Sequence, residues 1–334
     1  MMKDKEIMKD KNRRHNNKDW HQREDVAVVT APINEQLSPQ KRLEGSLELS
    51  DLVTRMVTHV ICHAIVDYQE LLKDERLSVA SAFLQRVTST HLCNHKLTKE
   101  GIVYRYNGES FRLHEEFKTM TLTRSVYEHL VMFYFLFEHP KSDGERRVVW
   151  NYWKANSKKN LLDYDADASP AVKALQDSAC REIEELRKEI FSIDMDDQCR
   201  QKLDEWTRIG KPTQNGCIAF YHRHGATDVR RVSYNQAWKY LFEKADLAPL
   251  YRHLSMHSHP IYDGLLQYQD QTLTDAGYDG IPLYLSSCFL AYLCRLFLKL
   301  IPDGQELLRQ GFSHREILIF NSLSQLPSSQ RGEA

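Results

Sequence analysis

"SLELSDLVTRMVTHVICHAIVDYQELL", residues 46–72, decides the fold. Its apolar positions Leu49, Leu52, Met56, Val60 and Ala64 recur at steps of three and four. Side chains at that spacing share one face of an α-helix, whereas a half-buried strand alternates at every second residue. The stretch therefore predicts an amphipathic helix whose apolar stripe is covered by other helices.

The same period returns along the chain. "DERLSVASAFLQRVTSTHLCNH" (74–95), "TMTLTRSVYEHLVMFYFLFEHP" (119–140) and "ERRVVWNYWKANSKKNLLDY" (145–164) each read as helices. Pro140 closes the second of these, because a residue before proline is pushed out of the α region. In "SPAVKALQDSACREIEELRKEIFSI" (169–193), Ser169 is the expected N-cap and Pro170 the first helical residue. "VSYNQAWKYLFEKADLAPLYRHLSMHSHP" (232–260) reads as two helices broken near Ala248 and Pro249. Asn107-Gly108 inside "KEGIVYRYNGESFR" predicts a small hairpin. The Gly- and Pro-bearing stretch "WTRIGKPTQNGCIAFYHRHGATDVRR" (206–231) reads as a loop or irregular insert. An all-α multi-helix bundle is the economical architecture.

Three parts are expected. A charged arm occupies residues 1–45, a helical domain 46–320 with an insert at about 163–224, and a tail 321–334. The basic cluster "KDKNRRHNNK" in the arm reads as a solvated tail or, alternatively, as a contact for nucleic acid or a partner. The N-terminal residues lack the apolar core of a secretory signal. Seven cysteines, an odd number with no Cys-x2-Cys pair, point to thiols in a reducing cytosol. The net charge of −1 gives no global field for nucleic acid or membrane, so contact with RNA must come from a local site. "IPLYLSSCFLAYLCRLFLKLIP" (281–302) is apolar enough to resemble a membrane span. Ser286, Ser287, Arg295 and Lys299 interrupt it, so a buried core helix is expected. No Gly-rich phosphate loop is present, and no cofactor is expected.

Chemistry concentrates in "LYRHLSMHSHP" (250–260). On a helix turning roughly 100° per residue, His259 returns almost to the face of Arg252, and His253 and His257 share a face of their own. An arginine holds a scissile phosphate and its developing charge, while a histidine moves protons near neutral pH. Ser255 is placed to add a hydrogen bond. Read as a metal site, His253 and His257 lack a third ligand, and "HLCNH" (91–95) is a poorly spaced source of one. The bland alternative is a polar helix end with satisfied hydrogen bonds. Arg124 and Glu128, one turn apart on an otherwise apolar helix, read either as an ion pair at the surface edge or as a pair at the bundle centre orienting Arg252 or a histidine. Tyr221, His222, Arg223 and His224 form a second basic and aromatic cluster, suited to stacking and phosphate contacts with single-stranded RNA or to a plain exposed loop.

"DLAPLYRHLSMHSHP" (246–260) resembles the Arg-x4–6-His signature of HEPN domains, helical bundles found in prokaryotic toxin–antitoxin, abortive-infection and CRISPR-linked ribonucleases. Arg252 to His257 has four intervening residues and Arg252 to His259 has six. The chain also resembles, over roughly residues 80–300, a bacterial domain family of unknown function near that group. Its members carry an Arg-x3-Glu step, here Arg124 and Glu128, and a Tyr-x2-Leu-Ser segment ending in His-Pro, here Tyr251 to Pro260. The resemblance implies a metal-independent endoribonuclease in anti-phage defence or a toxin system. Arg252 and His259, or His257, are then catalytic, with His253, Ser255, Arg124 and Glu128 supporting them. It also implies RNA as substrate, a homodimer completing the site, and a partner protein from the same operon. The 163–224 insert has no clear HEPN counterpart. Some relatives of that group serve only as binding partners, so a non-catalytic helical binding or sensor component is the alternative.

Overall fold

The computed structural model describes residues 27–69, 71–113, 116–165, 169–210, 217–223, 226–242, 248–256 and 280–325. The fold is all-α, a multi-helix bundle with two short hairpins. The chain divides into two compact units, Met1–Leu130 with Lys244–Ala334, and Val131–Glu243.

In the first unit, α1 (Pro39–Asp67) and α2 (Glu75–Glu100) pack against α9 (Ile281–Leu298). Leu49, Leu52, Met56, Val60 and Ala64 are all buried on α1, as the periodicity requires. The helix begins seven residues before Ser46, because Ser38 accepts a hydrogen bond from the Lys41 N–H at 3.4 Å and Pro39 opens the first turn. The expected arm boundary at 45 is therefore too late. Residues 27–30 are helical, a 3-10 turn follows at Ala31–Ile33, and Val29 and Pro32 are buried. Gly45 allows this approach: a Cβ there would stand 3.3 Å from the Ala31 Cβ. At the other end α11 (His314–Leu323), preceded by α10 (Gly304–Gly311), carries Phe320 and Leu323 into the core, so the core passes the expected boundary at 320. Gly304 lies against the end of α9. A Cβ there would come within 2.2 Å of the Leu298 carbonyl oxygen and 2.8 Å of Ile301 Cγ1. Gly304→Ala is expected to cost about 2 kcal/mol, because backbone must move and the gain in helix propensity is smaller. Chemical denaturation of the two proteins checks this, and an unchanged or raised midpoint refutes the clash.

The apolar α9 is buried along most of its length. By length and composition α1 and α9 are both apolar enough to cross a membrane; the α9 window is 78% buried inside the protein and the α1 window 44%. The serines that interrupt α9 have partners: Ser287 Oγ donates to the Leu283 carbonyl, and Ser286 meets His91.

A hydrogen-bond chain runs through this core. His95 Nε2 lies 3.5 Å from Asp51 Oδ1. Ser50 Oγ is 2.9 Å from both His95 Nδ1 and His91 Nε2. His91 Nδ1 is 2.8 Å from the Ser286 hydroxyl. His91, Ser50 and Ser286 are each 0% exposed. Burial, with His95 nearby, pushes the His91 pKa down to about 3, so the imidazole stays neutral in the folded chain. Beside it Thr123 joins three helices, accepting from Asn94 on α2 while its hydroxyl lies 2.8 Å from the carbonyls of Thr119 and Pro282.

The predicted hairpin forms as β1 (Ile102–Tyr106) and β2 (Glu109–Leu113). Asn107 and Gly108 take φ of 50° and 83°, the left-handed pair that such a turn demands. Next, α3 (Glu116–Phe133) carries the Arg124 and Glu128 positions. A π-helical turn at Tyr134–Glu138 separates it from Pro140.

The second unit pairs α4 (Asp143–Lys159) with α5 (Pro170–Phe191), Ser142 and Ser169 serving as N-caps. Then come α6 (Asp197–Thr207) and a second hairpin, β3 (Cys217–Arg223) with β4 (Ala226–Val232). Reading this stretch as a loop is corrected here. Cys217 to Phe220 are four successive buried residues, so β3 lacks the alternation that marks a half-exposed strand. The unit is also wider than the insert expected at 163–224, since α4 belongs to it. The C-terminus of α6 draws cations, as a helix end rich in unpaired carbonyls should. Lys159 Nζ donates to the Trp206 carbonyl, and Arg187 donates to the Asp204 carbonyl and carboxylate and to Thr207 Oγ1. The unit continues into α7 (Tyr234–Leu241), and α8 (Ala248–Met256) returns the chain to the first unit.

Candidate functional site

Arg124 and Glu128 lie four residues apart on α3, so their side chains meet over one turn. Arg124 Nε donates to Glu128 Oε1 at 2.7 Å, the side chains being 20% and 27% exposed. The same oxygen accepts the Tyr251 hydroxyl from α8 at 3.1 Å. The Arg124 guanidinium also stands 5.6 Å from the centre of the Tyr251 ring. Burial disfavours the Arg124 charge, but the hydrogen bond and charge of Glu128 outweigh it and hold the guanidinium above its ordinary pKa. Burial, followed by the Glu128 charge, raises the Tyr251 phenol, which therefore remains a donor at neutral pH. Behind this triad, Tyr127 packs on Tyr251 and Phe289 at ring distances of 5.4 and 5.3 Å.

The triad settles the rotation of α8. Tyr251 and the buried Leu254 face the bundle, which turns Arg252 and His253 outward, both exposed. Ser255 is half-buried, with its hydroxyl oxygen out of solvent. Glu128 thus bonds both Arg124 and Tyr251. Tyr251 is the residue that sequence reasoning passed over. It stands in the quoted Tyr-x2-Leu-Ser segment, but its partner is 123 residues away. His257 and His259 lie outside the described residues.

The basic and aromatic cluster on β3 is split by the pleat. Tyr221 receives Arg230, whose guanidinium is 4.8 Å from its ring centre, and meets Tyr240 edge-on. His222 turns to Glu145 on α4, with Nε2 2.8 Å from the carboxylate. His224 lies outside the described residues, and for Arg223 only the strand position is described. All seven cysteines are free thiols. Burial raises Cys217, Cys288 and Cys294, which makes them poor nucleophiles. Among the described residues no group of three His, Cys, Asp or Glu side chains is arranged to hold a metal ion.

Comparison with curated proteins and with solved structures finds no match. Residues 113–277, the segment that holds Arg124, Glu128 and the whole of "LYRHLSMHSHP", match the model of a family of unknown function (DUF5677).

Proposed function

We propose that the chain is a metal-independent endoribonuclease of HEPN type, working in prokaryotic defence or as a toxin. The observation that carries this reading is the Arg124–Glu128–Tyr251 triad. It anchors α8 through Tyr251 and so presents the neighbouring Arg252 outward on a fixed helix. In this mechanism the ribose 2′-hydroxyl attacks the adjacent phosphorus, and His259, or His257, accepts its proton. Arg252 binds the phosphate oxygens and holds the added negative charge of the phosphorane. The P–O5′ bond then breaks, the 5′-oxygen takes up the proton that the histidine accepted, and a 2′,3′-cyclic phosphate remains. Arg252 and His253 are exposed on α8, and a second copy of the chain, contributing its own Arg and His, completes the site in a homodimer. His253 and Ser255 support the substrate, while Arg124 and Glu128 act through Tyr251.

The test is cleavage of a mixed RNA pool in EDTA by the native chain, Arg252→Ala and His259→Ala. Cleavage by the native chain that disappears in both variants is expected. Cleavage that EDTA abolishes, or that Arg252→Ala retains, rejects the mechanism. A chain that binds RNA or a partner protein without cutting is the binding component instead.

A further inference from the structure

The second unit holds a cleft of about 440 Å³ that the ribonuclease reading does not use. Its base is apolar, formed by Val148 of α4, Ile193 and Met195 of the α5–α6 connection, and Phe220 of β3. Its polar wall consists of Glu145, Asp194, Asp196, His222 and Thr227, with Ser142 and Gly144 at the start of α4. Among the described residues no lysine or arginine lines it.

The hydrogen bonds determine what this wall offers. Glu145 is nine-tenths buried, and its Oε2 already takes the Lys141 N–H at 2.8 Å. Its Oε1 takes His222 Nε2 at 2.8 Å, and His222 Nδ1 pairs with the Thr227 hydroxyl at 3.3 Å. Asp196 Oδ2 accepts the Thr227 N–H at 2.7 Å, which holds this carboxylate at the mouth with its other oxygen available. Asp194 is exposed beside it. Ser142 Oγ takes the Glu145 N–H at 3.2 Å, so one donor of the helix start is used internally. The wall is thus dominated by acceptors, the carboxylates of Glu145, Asp194 and Asp196. A ligand matching it brings N–H donors and positive charge, and an apolar stem covers the base.

We propose that this cleft binds an organic ammonium group on a hydrocarbon stem. Asp194 and Asp196 take the charged head, and the stem lies on Val148, Ile193, Met195 and Phe220. Phosphate and other anions are repelled, so the site is separate from any RNA contact. The assignment stands whether or not the chain cleaves RNA.

Two sources supply this chemistry, a free diamine and the side chain of a lysine in a peptide. Calorimetric titration of the full chain with cadaverine, with Nα-acetyl-lysine methylamide and with inorganic phosphate tests the idea and separates the sources. Binding of either amine, with none by phosphate, is expected. Cadaverine alone assigns the site to free amines, and the blocked lysine alone assigns it to side chains. Asp194→Asn, on an exposed residue, should weaken binding about fivefold without changing the unfolding midpoint. Asp194→Asn with Asp196→Asn should remove it, the new amide oxygen still accepting the Thr227 N–H. No heat from either amine, binding of phosphate, or amine affinity unchanged in the double variant overturns the proposal.

Discussion

Between pH 7 and pH 5 the first unit is expected to lose about 2 kcal/mol of stability through His91 alone, from the linkage of proton binding to folding. His91 has an ordinary pKa of 6.5 when the chain unfolds and one of about 3 when folded. Below 6.5 the unfolded chain therefore binds a proton that the folded chain refuses. The stabilisation is fully present above 6.5 and is lost as pH falls toward 3, reaching on the order of 5 kcal/mol there. His95 adds to the loss in the same direction, because burial also lowers its pKa. Hydrogen exchange of peptides from α2 and α9, followed from pH 5 to pH 8 with the intrinsic exchange rate removed, reads this directly. His91→Gln keeps a donor and an acceptor but cannot titrate, so its protection should vary less with pH. His91→Ala opens a void, removes the partner of the Ser286 hydroxyl and leaves Ser50 only its bond to His95, and should cost about 4 kcal/mol at neutral pH. Equal slopes for the native chain and His91→Gln would falsify the account.

The second large effect separates activity from stability at the proposed ribonuclease site. Arg252 is exposed, so Arg252→Ala should move the unfolding free energy by no more than about 0.5 kcal/mol. It should nevertheless lower RNA cleavage by about a hundredfold or more, since a charged donor aimed at a developing anion is worth several kcal/mol. Glu128→Ala differs in kind. It removes the carboxylate that takes both the Arg124 guanidinium and the Tyr251 hydroxyl, at a cost of about 2 kcal/mol. It also frees α8 to turn, so cleavage falls through misplacement of Arg252. Tyr251→Phe removes the hydrogen bond to Glu128, costs about 1 kcal/mol, and should affect cleavage less than Glu128→Ala. Cleavage rates set beside urea midpoints for the three variants check this order. If Arg252→Ala unfolds as readily as Glu128→Ala, the residue is structural and the site is misassigned.

What could be read from the sequence was local. Helical period over 46–72 gave the buried face of α1, because residues three and four apart must share a side whatever surrounds them. Asn107-Gly108 specified its turn, and Ser169 with Pro170 specified a helix start, since each acts on its own backbone. The Arg124–Glu128 ion pair was legible for the same reason, with partners one turn apart.

The tertiary structure alone decided what each of those features faces. Tyr251 reaches Glu128 across 123 positions, His91 reaches Ser286 across 195, and His222 reaches Glu145 across 77. No periodicity encodes such pairs, because burial selects them: a polar group removed from water must find whatever partner the packed helices bring near. That same requirement turned a poorly spaced His-Cys-His stretch into a core hydrogen-bond chain, turned Arg252 toward solvent, and set His222 against Glu145 in the wall of an acid-lined cleft.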